Sequence, residues 1–371
     1  QVLELPIEGV SPKRNKMLPD PLTPCPDCQP EAIDLDRRGF LSSLTAVAAT
    51  GLNSSLWTAP AFAAPSPKSA AETAVKTFYD TLKDAQKQAI CFAWDFKHPD
   101  RGLLRSHVSN FWPVTKPFFT SDFYTKEQRA ILFDIFKGVF NPDWHDRFVK
   151  QLKDDHDGKP WGGGLSCAIF GKPGSDQFEF VMSGRHMTIR ADGNTASHVA
   201  LGGPIFHGHA PSGYTEKVHH PDNIFWHQAE LANGVYKILG GKQQKMALVE
   251  RRPKDEFTVP FQGKEERLSG MPCSEMSKDQ KEAVQKVLMG LIDPYRKEDR
   301  DEVLACLKKQ GGLDKCWLAF YKDGDTGSDG EWDNWRLEGP SFVWYFRGHP
   351  HVHIWINVAD DASVKLNSKN F

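Results

Sequence analysis

The sequence lacks the short motifs that mark several large enzyme classes. It contains no G-x-S-x-G nucleophile elbow, no P-loop and no dinucleotide-binding fingerprint. It also lacks an excess of basic residues, since 46 Lys and Arg face 48 Asp and Glu. Because binding to phosphates requires a basic face, nucleic acid is not expected as a partner.

Long apolar runs are absent as well. The stretch 39–52 is shorter than the ~20 residues that a transmembrane helix needs. It follows Arg37-Arg38 in the pattern D-R-R-G-F-L and precedes Ala61-Phe62-Ala63, an A-x-A cleavage signal. We therefore predict that residues 1–64 are an N-terminal extension with a twin-arginine signal peptide. The mature chain is expected to be periplasmic or secreted, with no integral membrane segment.

Cysteine is scarce, with seven in 371 residues. Cys25 and Cys28 lie in the predicted signal segment. The spacing of the other five matches no zinc or haem pattern, and an odd number leaves at least one thiol unpaired. These five are Cys91, Cys167, Cys273, Cys306 and Cys316. A disulfide between Cys306 and Cys316 and a set of buried free thiols are both open alternatives.

A repeated pattern indicates the architecture. Thr125 and Ser277 each open a capping box with a Gln three residues later. In both copies a Gly follows after 13 residues and an X-Pro turn after 17, so the offset is constant (277 − 125 = 152). A second helix and then period-two strand patterns follow. This predicts an α+β fold of two pseudo-repeated α-α-β-β-β units, with mostly antiparallel sheets packed about a pseudo-two-fold axis.

The pattern also sets the predicted boundaries. Residues 65–371 form a single duplicated domain, in which repeat one covers about 72–211, a connector 212–272 and repeat two 273–358. The predicted strands are 166–170, 178–190 and 197–206 in the first copy, and 317–321, 332–346 and 351–358 in the second. Gly184 and Gly339 interrupt the middle strands, which indicates either a bulge or a close approach of another backbone segment. Each precedes a His by 14 residues, so His198 and His353 are predicted counterparts.

Histidines at period two lie near the C-terminus. In a strand, His351 and His353 project from the same face while the residues between them enter the core. Such a pair can chelate a divalent metal, and a third ligand would complete an open site. The candidates for the third ligand are His186 and His209. For any one of these residues, a hydrogen-bonded or surface histidine is the simpler alternative.

The ligand type limits the metal. Neutral imidazoles favour zinc, copper or iron over magnesium or calcium, which prefer oxygen ligands. Glu338 is the candidate catalytic carboxylate, as a general base or as a hydrogen-bond partner of a ligand. A merely solvated carboxylate is the alternative for this position.

Five segments together resemble a known family. They are 125–129 (TKEQR), 168–173 (AIFGKP), 183–187 (SGRHM), 336–340 (RLEGP) and 351–353 (HVH). In this order they are similar to the "domain of unknown function 3500" family, over about residues 72–358. The resemblance implies no particular activity.

The sequence is compatible with two main functions. The first is an exported metalloenzyme, hydrolytic or oxidative, that activates water or oxygen for a small-molecule substrate in the cleft between the two units. The second is a non-catalytic periplasmic protein that binds a carbohydrate or an envelope component through some of the 11 Trp residues. The sequence does not indicate an oligomeric state.

Overall fold

The computed structural model describes residues 64–210, 223–255 and 259–364. The predicted signal peptide, with Cys25 and Cys28, and the pair His219-His220 lie outside these residues. The described part contains eight α-helices: α1 (Ala70–Thr81), α2 (Asp84–Ile90), α3 (Lys126–Val139), α4 (His145–Asp155), α5 (Trp226–Ile238), α6 (Gly241–Ala247), α7 (Lys278–Ile292) and α8 (Lys297–Lys309). None of these helices is long and apolar enough to span a bilayer.

The strands form one large sheet and one small hairpin. In chain order they are β1 (Cys91–Phe92), β2 (Lys97–His98), β3 (Gly102–Leu103), β4 (Leu165–Gly171), β5 (Phe178–Gly184), β6 (Met187–Ala191), β7 (Ile205–His209), β8 (Leu248–Val249), β9 (Met271–Pro272), β10 (Trp317–Tyr321), β11 (Asn334–Gly339), β12 (Phe342–Arg347) and β13 (Val352–Val358). The large sheet has the order β1-β4-β5-β6-β7-β13-β12-β11-β10-β8, with β9 also paired to β10. Only the short outer strands β1 and β8 pair in parallel. The predicted mixed fold with a mostly antiparallel sheet is confirmed.

The middle strand predicted in each half is in fact two strands. Gly184 pairs with Met187, so β5 and β6 form a hairpin with a two-residue turn. Gly339 pairs with Phe342 in the same way. The glycines therefore end strands rather than form bulges, and Pro340, which has no N–H to donate, occupies the second turn. The bulge alternative was wrong because one glycine inside an apolar run is compatible with either structure. The other alternative, a close backbone approach, agrees with Gly184, where an added Cβ would lie 2.2 Å from the carbonyl oxygen of Gly164.

The third predicted strand of the first half is shifted. β7 begins at Ile205, eight residues after the predicted start, because Leu201 and Gly202 have positive φ values of 62° and 72°. This short helical turn reverses the chain before the strand. His198 consequently lies outside the sheet, with its side chain 66% exposed beside Asp360. It does not occupy a position equivalent to that of His353.

The two faces of the large sheet differ in chemistry. One face packs its apolar side chains against the helices and forms the main core. The opposite face carries charged and polar side chains, which are nevertheless buried: Glu179, Arg190, Arg336, Glu338, Arg347, His353 and Asn357. Loops cover this face, since Arg190 donates to the carbonyl of His107 and Asn357 donates to that of Val259.

Both predicted capping boxes are present. The hydroxyls of Thr125 and Ser277 accept from the backbone N–H of Gln128 and Gln280, and each Gln side chain accepts from the backbone N–H of its capping residue. The five cysteines of the described chain are free thiols. The alternative of a disulfide between Cys306 and Cys316 is therefore not realised.

Candidate metal centre

Three buried imidazoles converge at one end of the central strands β7 and β13. Nε2 of His353 is 2.9 Å from Nε2 of His351 and 3.3 Å from Nε2 of His186. One ring nitrogen from each of the three lies within 4.8 Å of the other two. His186 belongs to the β5–β6 turn, whereas His351 directly precedes β13 and His353 is its second residue, so the three residues come from both halves. A divalent metal bonded to all three nitrogens at ~2.0–2.1 Å would fit between them after a small adjustment.

His353 is held from behind by a carboxylate. Its Nδ1 is 2.6 Å from Oδ2 of Asp255, which also accepts from Nη1 of Arg347 at 2.8 Å. Arg347 is the cross-strand partner of His353 on β12. The carboxylate fixes Nδ1 as the protonated nitrogen and leaves the lone pair of Nε2 facing the other two histidines.

His186 is held in the same way by Asp155, at the end of α4. Its Nδ1 is 2.9 Å from Oδ1 of Asp155, which also accepts from the backbone N–H of Ala210 at 2.8 Å. His186 has a φ of 56°, a left-handed conformation that is uncommon for residues other than glycine. Its backbone is bonded on both sides, to the carbonyl of Asn110 and to the N–H of Gly208. These contacts hold the ring in place despite the unfavourable backbone conformation.

The electrostatics favour the ligand form of His351 and His353 and the ionised form of Asp155. Burial, with the neighbouring His186 and Arg347, lowers the pKa of His351 to about 2. Burial and Arg347 also lower the pKa of His353 well below its ordinary value. Burial alone would raise the pKa of Asp155, but its contacts with His186 outweigh burial and hold that pKa below the usual range. Neutral imidazoles beside ionised carboxylates are the protonation states that transition-metal binding requires.

The chain matches a model of a protein family over most of its length. A family model with the description "Protein of unknown function (DUF3500)" matches residues 64–361. The chain belongs to the DUF3500 family. No curated protein matches the DUF3500 chain. No solved structure matches it.

Of the four histidines predicted as ligands in this DUF3500 protein, three come together. His186, His351 and His353 form the cluster, whereas His209 is not part of it. His209 lies on β7, where the odd-numbered residues face the helices. Its Nε2 lies 3.2 Å from Oδ2 of Asp154. The neighbouring Gly208 faces the cluster instead.

The predicted catalytic residue, Glu338, lies at some distance from the cluster. It is on β11, two strands from β13, and the register places it level with Asn357, four residues past His353. Its Oε1 accepts from Nη2 of Arg336 at 2.6 Å. Burial raises the pKa of Glu338 to about 7, although Arg336 opposes this shift.

The two carboxylates that orient the histidines were not predicted. Asp155 and Asp255 are 31 and 98 residues from the histidines that they contact. Asp155 lies in a charged helix end, and Asp255 lies in a loop, so neither belongs to a periodic pattern. The only signal was general: histidine ligands usually donate their second ring N–H to a carboxylate or a carbonyl.

Proposed function

We propose that this DUF3500 protein is a metalloenzyme whose transition metal, zinc, copper or iron, is held by His186, His351 and His353. One observation carries the proposal: one ring nitrogen from each of three buried histidines lies within 4.8 Å of the other two, and two of the rings are fixed through Nδ1 by the carboxylates of Asp155 and Asp255. This arrangement brings three nitrogens with lone pairs close together. A cluster with only a structural role would not require it, because buried imidazole nitrogens are normally paired with hydrogen-bond donors or acceptors.

The ligand set suits catalysis. Three protein ligands leave a coordination position open, where a bound metal would activate water or oxygen for hydrolysis or oxidation. The residues of the chain supply the rest. Asp155 and Asp255 hold the tautomers of two rings, and the burial of all three histidines limits the access of bulk water. The substrate is then a small molecule bound beside the histidines.

The proposal is tested by measuring metal content after purification from the native compartment and after reconstitution. We expect one equivalent of a transition metal per chain, lost in His353→Ala. The matched control is His198→Ala, because His198 is 66% exposed and belongs to no cluster. Circular dichroism reports whether both variants fold. A wild-type chain that retains no metal, or a His353→Ala variant that keeps a full equivalent, contradicts the proposal.

The alternative of a carbohydrate-binding protein receives less support. Such a role would use exposed Trp rings as a platform, but none of the ten tryptophans in the described residues is exposed. Measurable affinity for glycans in a metal-free chain would favour this alternative over the metalloenzyme.

The two halves are proposed to be copies of one unit. The strand order β4-β5-β6-β7 meets β13-β12-β11-β10 in reverse, with β7 and β13 at the centre. Each half has a helix packed on its capped helix, α1 on α3 and α5 on α7, and Gln86 contacts Gln128 as Gln243 contacts Gln280. On this basis the second copy begins at α5, within the predicted connector. Superposition of residues 70–210 on residues 226–358 tests this proposal. An alignment that places helices of one segment on strands of the other would contradict it.

Export by the twin-arginine route is proposed from the D-R-R-G-F-L pattern. Changing Arg37 and Arg38 to Lys should leave unprocessed precursor in the cytoplasm, detected by immunoblot of cell fractions. A normal periplasmic amount of the variant would rule out this route.

A further inference from the structure

The polar face of the sheet carries donors without acceptors beside the histidine cluster. Tyr345 is the cross-strand partner of Trp355, and Arg347 is that of His353. Directly paired residues on antiparallel strands project to one face, so these four side chains are neighbours. The hydroxyl of Tyr345 and Nε of Arg347 are buried, and neither atom has a hydrogen-bond partner among the described residues.

The hydroxyl of Tyr345 differs from the hydroxyls of the other buried tyrosines. The other buried tyrosines of the described residues, Tyr124, Tyr295 and Tyr321, each have a side-chain partner for the hydroxyl. Tyr345 has no solvent exposure. Leaving a buried hydroxyl without a partner is unfavourable, and such groups are rare in folded proteins. A ligand that accepts a hydrogen bond at this position would remove the penalty.

Arg190, on the same face of the sheet in the first half, is an arginine whose hydrogen bonds are all made within the protein. Arg190 donates from Nε to the carbonyl of Pro204, from Nη1 to Glu179 and from Nη2 to the carbonyl of His107, each at 2.8 Å. All three of its nitrogens have acceptors. Arg347 donates only from its two terminal nitrogens, to Asp255 and to the carbonyl of His351. Nε of Arg347 is therefore a buried donor without an acceptor among the described residues, in contrast to Nε of Arg190.

A further donor lies on the first-half side of the cluster. Nε of Arg185 is also buried without a partner among the described residues. Buried donors that lack acceptors therefore flank the cluster on both sides. An anion is the ligand that such donors bind most strongly, because hydrogen bonds to a charged acceptor are the stronger ones.

We propose that this position is an anion subsite, where Tyr345 and Arg347 bind the carboxylate of a small organic acid that is the substrate of the metal centre. Oδ1 of Asn357, buried and without a partner on the same face, accepts from a hydroxyl or amine of the same molecule. The substrate assignment rests on the proposed metalloenzyme function. The binding of a carboxylate by these donors does not require the metal.

The test uses acetate as the probe and acetamide as its uncharged isostere, measured by calorimetry with the full chain in zinc-loaded and metal-free form. We expect acetate to bind at least about tenfold more tightly than acetamide, since charge-assisted hydrogen bonds are the stronger ones. Tyr345→Phe should weaken acetate binding by about tenfold or more. Its zinc content should be unchanged, and its stability should be equal or higher, because it removes a donor that has no partner. The matched control is Tyr124→Phe, whose hydroxyl contacts Cys167 on the helix side.

The outcomes separate this subsite from the metal site. Equal acetate affinity in wild type and Tyr345→Phe, or no acetate binding by the wild type in either form, overturns the anion subsite. Loss of stability in Tyr345→Phe as large as that in Tyr124→Phe also counts against it, because the hydroxyl would then have a partner. A chain that takes up no zinc but binds acetate through Tyr345 refutes the metalloenzyme proposal and leaves the subsite intact.

Discussion

At the residue scale, the position of His186 depends on a neighbour that has no side chain. A Cβ added to Gly208 would lie 3.0 Å from Cγ and Cδ2 of the His186 ring and 2.7 Å from the carbonyl oxygen of Val352. Such distances require the ring or the strand to move. The glycine of the H-x-H segment, rather than His209, is therefore the part of that motif that supports the proposed metal site.

We predict that Gly208→Ala weakens metal binding by roughly tenfold or more, although residue 208 is not a ligand, because displaced supporting groups typically reduce affinity by about 10–100-fold. Overpacking should also lower the free energy of unfolding by about 1–3 kcal/mol. Competition with a chelator measures the first effect and urea denaturation the second. The control is Gly234→Ala in α5, where an added Cβ meets nothing within 4 Å. Unchanged metal affinity in Gly208→Ala would show that the ring has room to move.

A second residue-scale prediction concerns pH. Burial, with nearby Arg147, lowers the pKa of His227 from 6.5 to about 4. The unfolded chain therefore binds a proton below about pH 6.5 that the folded chain does not take up until about pH 4. Unfolding is favoured as pH falls through this window, by ~1.4 kcal/mol per pH unit for one such group.

His227→Gln should remove that contribution, so the free energy of unfolding of the variant should depend less steeply on pH in this window. Urea denaturation at several pH values between about 4 and 6.5 gives both slopes. The exposed His198 provides the control, as His198→Gln should leave the slope unchanged. Identical slopes for wild type and His227→Gln would mean that residue 227 is charged in the folded protein.

At this scale, the sequence predicted those site residues that depend only on local spacing. His351 and His353 were predictable because two residues on one strand share a face whatever surrounds them. His186 was one of two candidates, and the choice between it and His209 depended on a hairpin turn that the bulge interpretation concealed. Asp255 was beyond prediction, since its contact with His353 is formed by tertiary structure alone.

At the scale of elements, the helix starts were the most predictable feature. A capping box acts within four residues, so it is independent of the rest of the fold. Strand ends were less predictable, since one glycine is compatible with a bulge or a turn, and the difference lies in the backbone of His186. The observed α7 begins at Lys278, directly after the predicted cap at Ser277.

We expect Ser277→Ala to lower the free energy of unfolding by about 1 kcal/mol, because the backbone N–H of Gln280 loses its acceptor at the start of α7. Ser277→Thr keeps a hydroxyl, as Thr125 does in the other half, and should cost less. Chemical denaturation of the two variants decides the matter. Equal losses would indicate that the hydroxyl does not contribute and that the side chain of Gln280 provides the cap alone.

At the scale of the whole molecule, a buried ion pair joins the halves away from the sheet. Arg296 donates from Nη1 and Nη2 to the two carboxylate oxygens of Glu72, each at 2.7 Å, and both side chains are at most 9% exposed. Glu72 belongs to α1, and Arg296 precedes α8. Removing one partner of such a pair leaves a buried charge uncompensated.

Glu72→Gln should therefore lower the free energy of unfolding by about 3–5 kcal/mol. The exposed pair of Lys76 with Asp80 on the same helix is the control, and Asp80→Asn should cost less than about 1 kcal/mol. Denaturant titration of the two variants provides the comparison. A loss in Glu72→Gln no larger than in Asp80→Asn would show that Asp299 alone compensates Arg296 and that the junction adds little stability.

The central pairing of β7 with β13 has a consequence for synthesis of the chain. β7 is internal in the finished sheet, but its partner is completed only at Val358, 358 − 209 = 149 residues after β7 ends. At ~5–20 residues per second, translation leaves that edge open for roughly 7–30 s. An open strand edge is a template for pairing with another nascent chain. The first half therefore faces its greatest risk of aggregation on the ribosome, before the histidines of β13 exist.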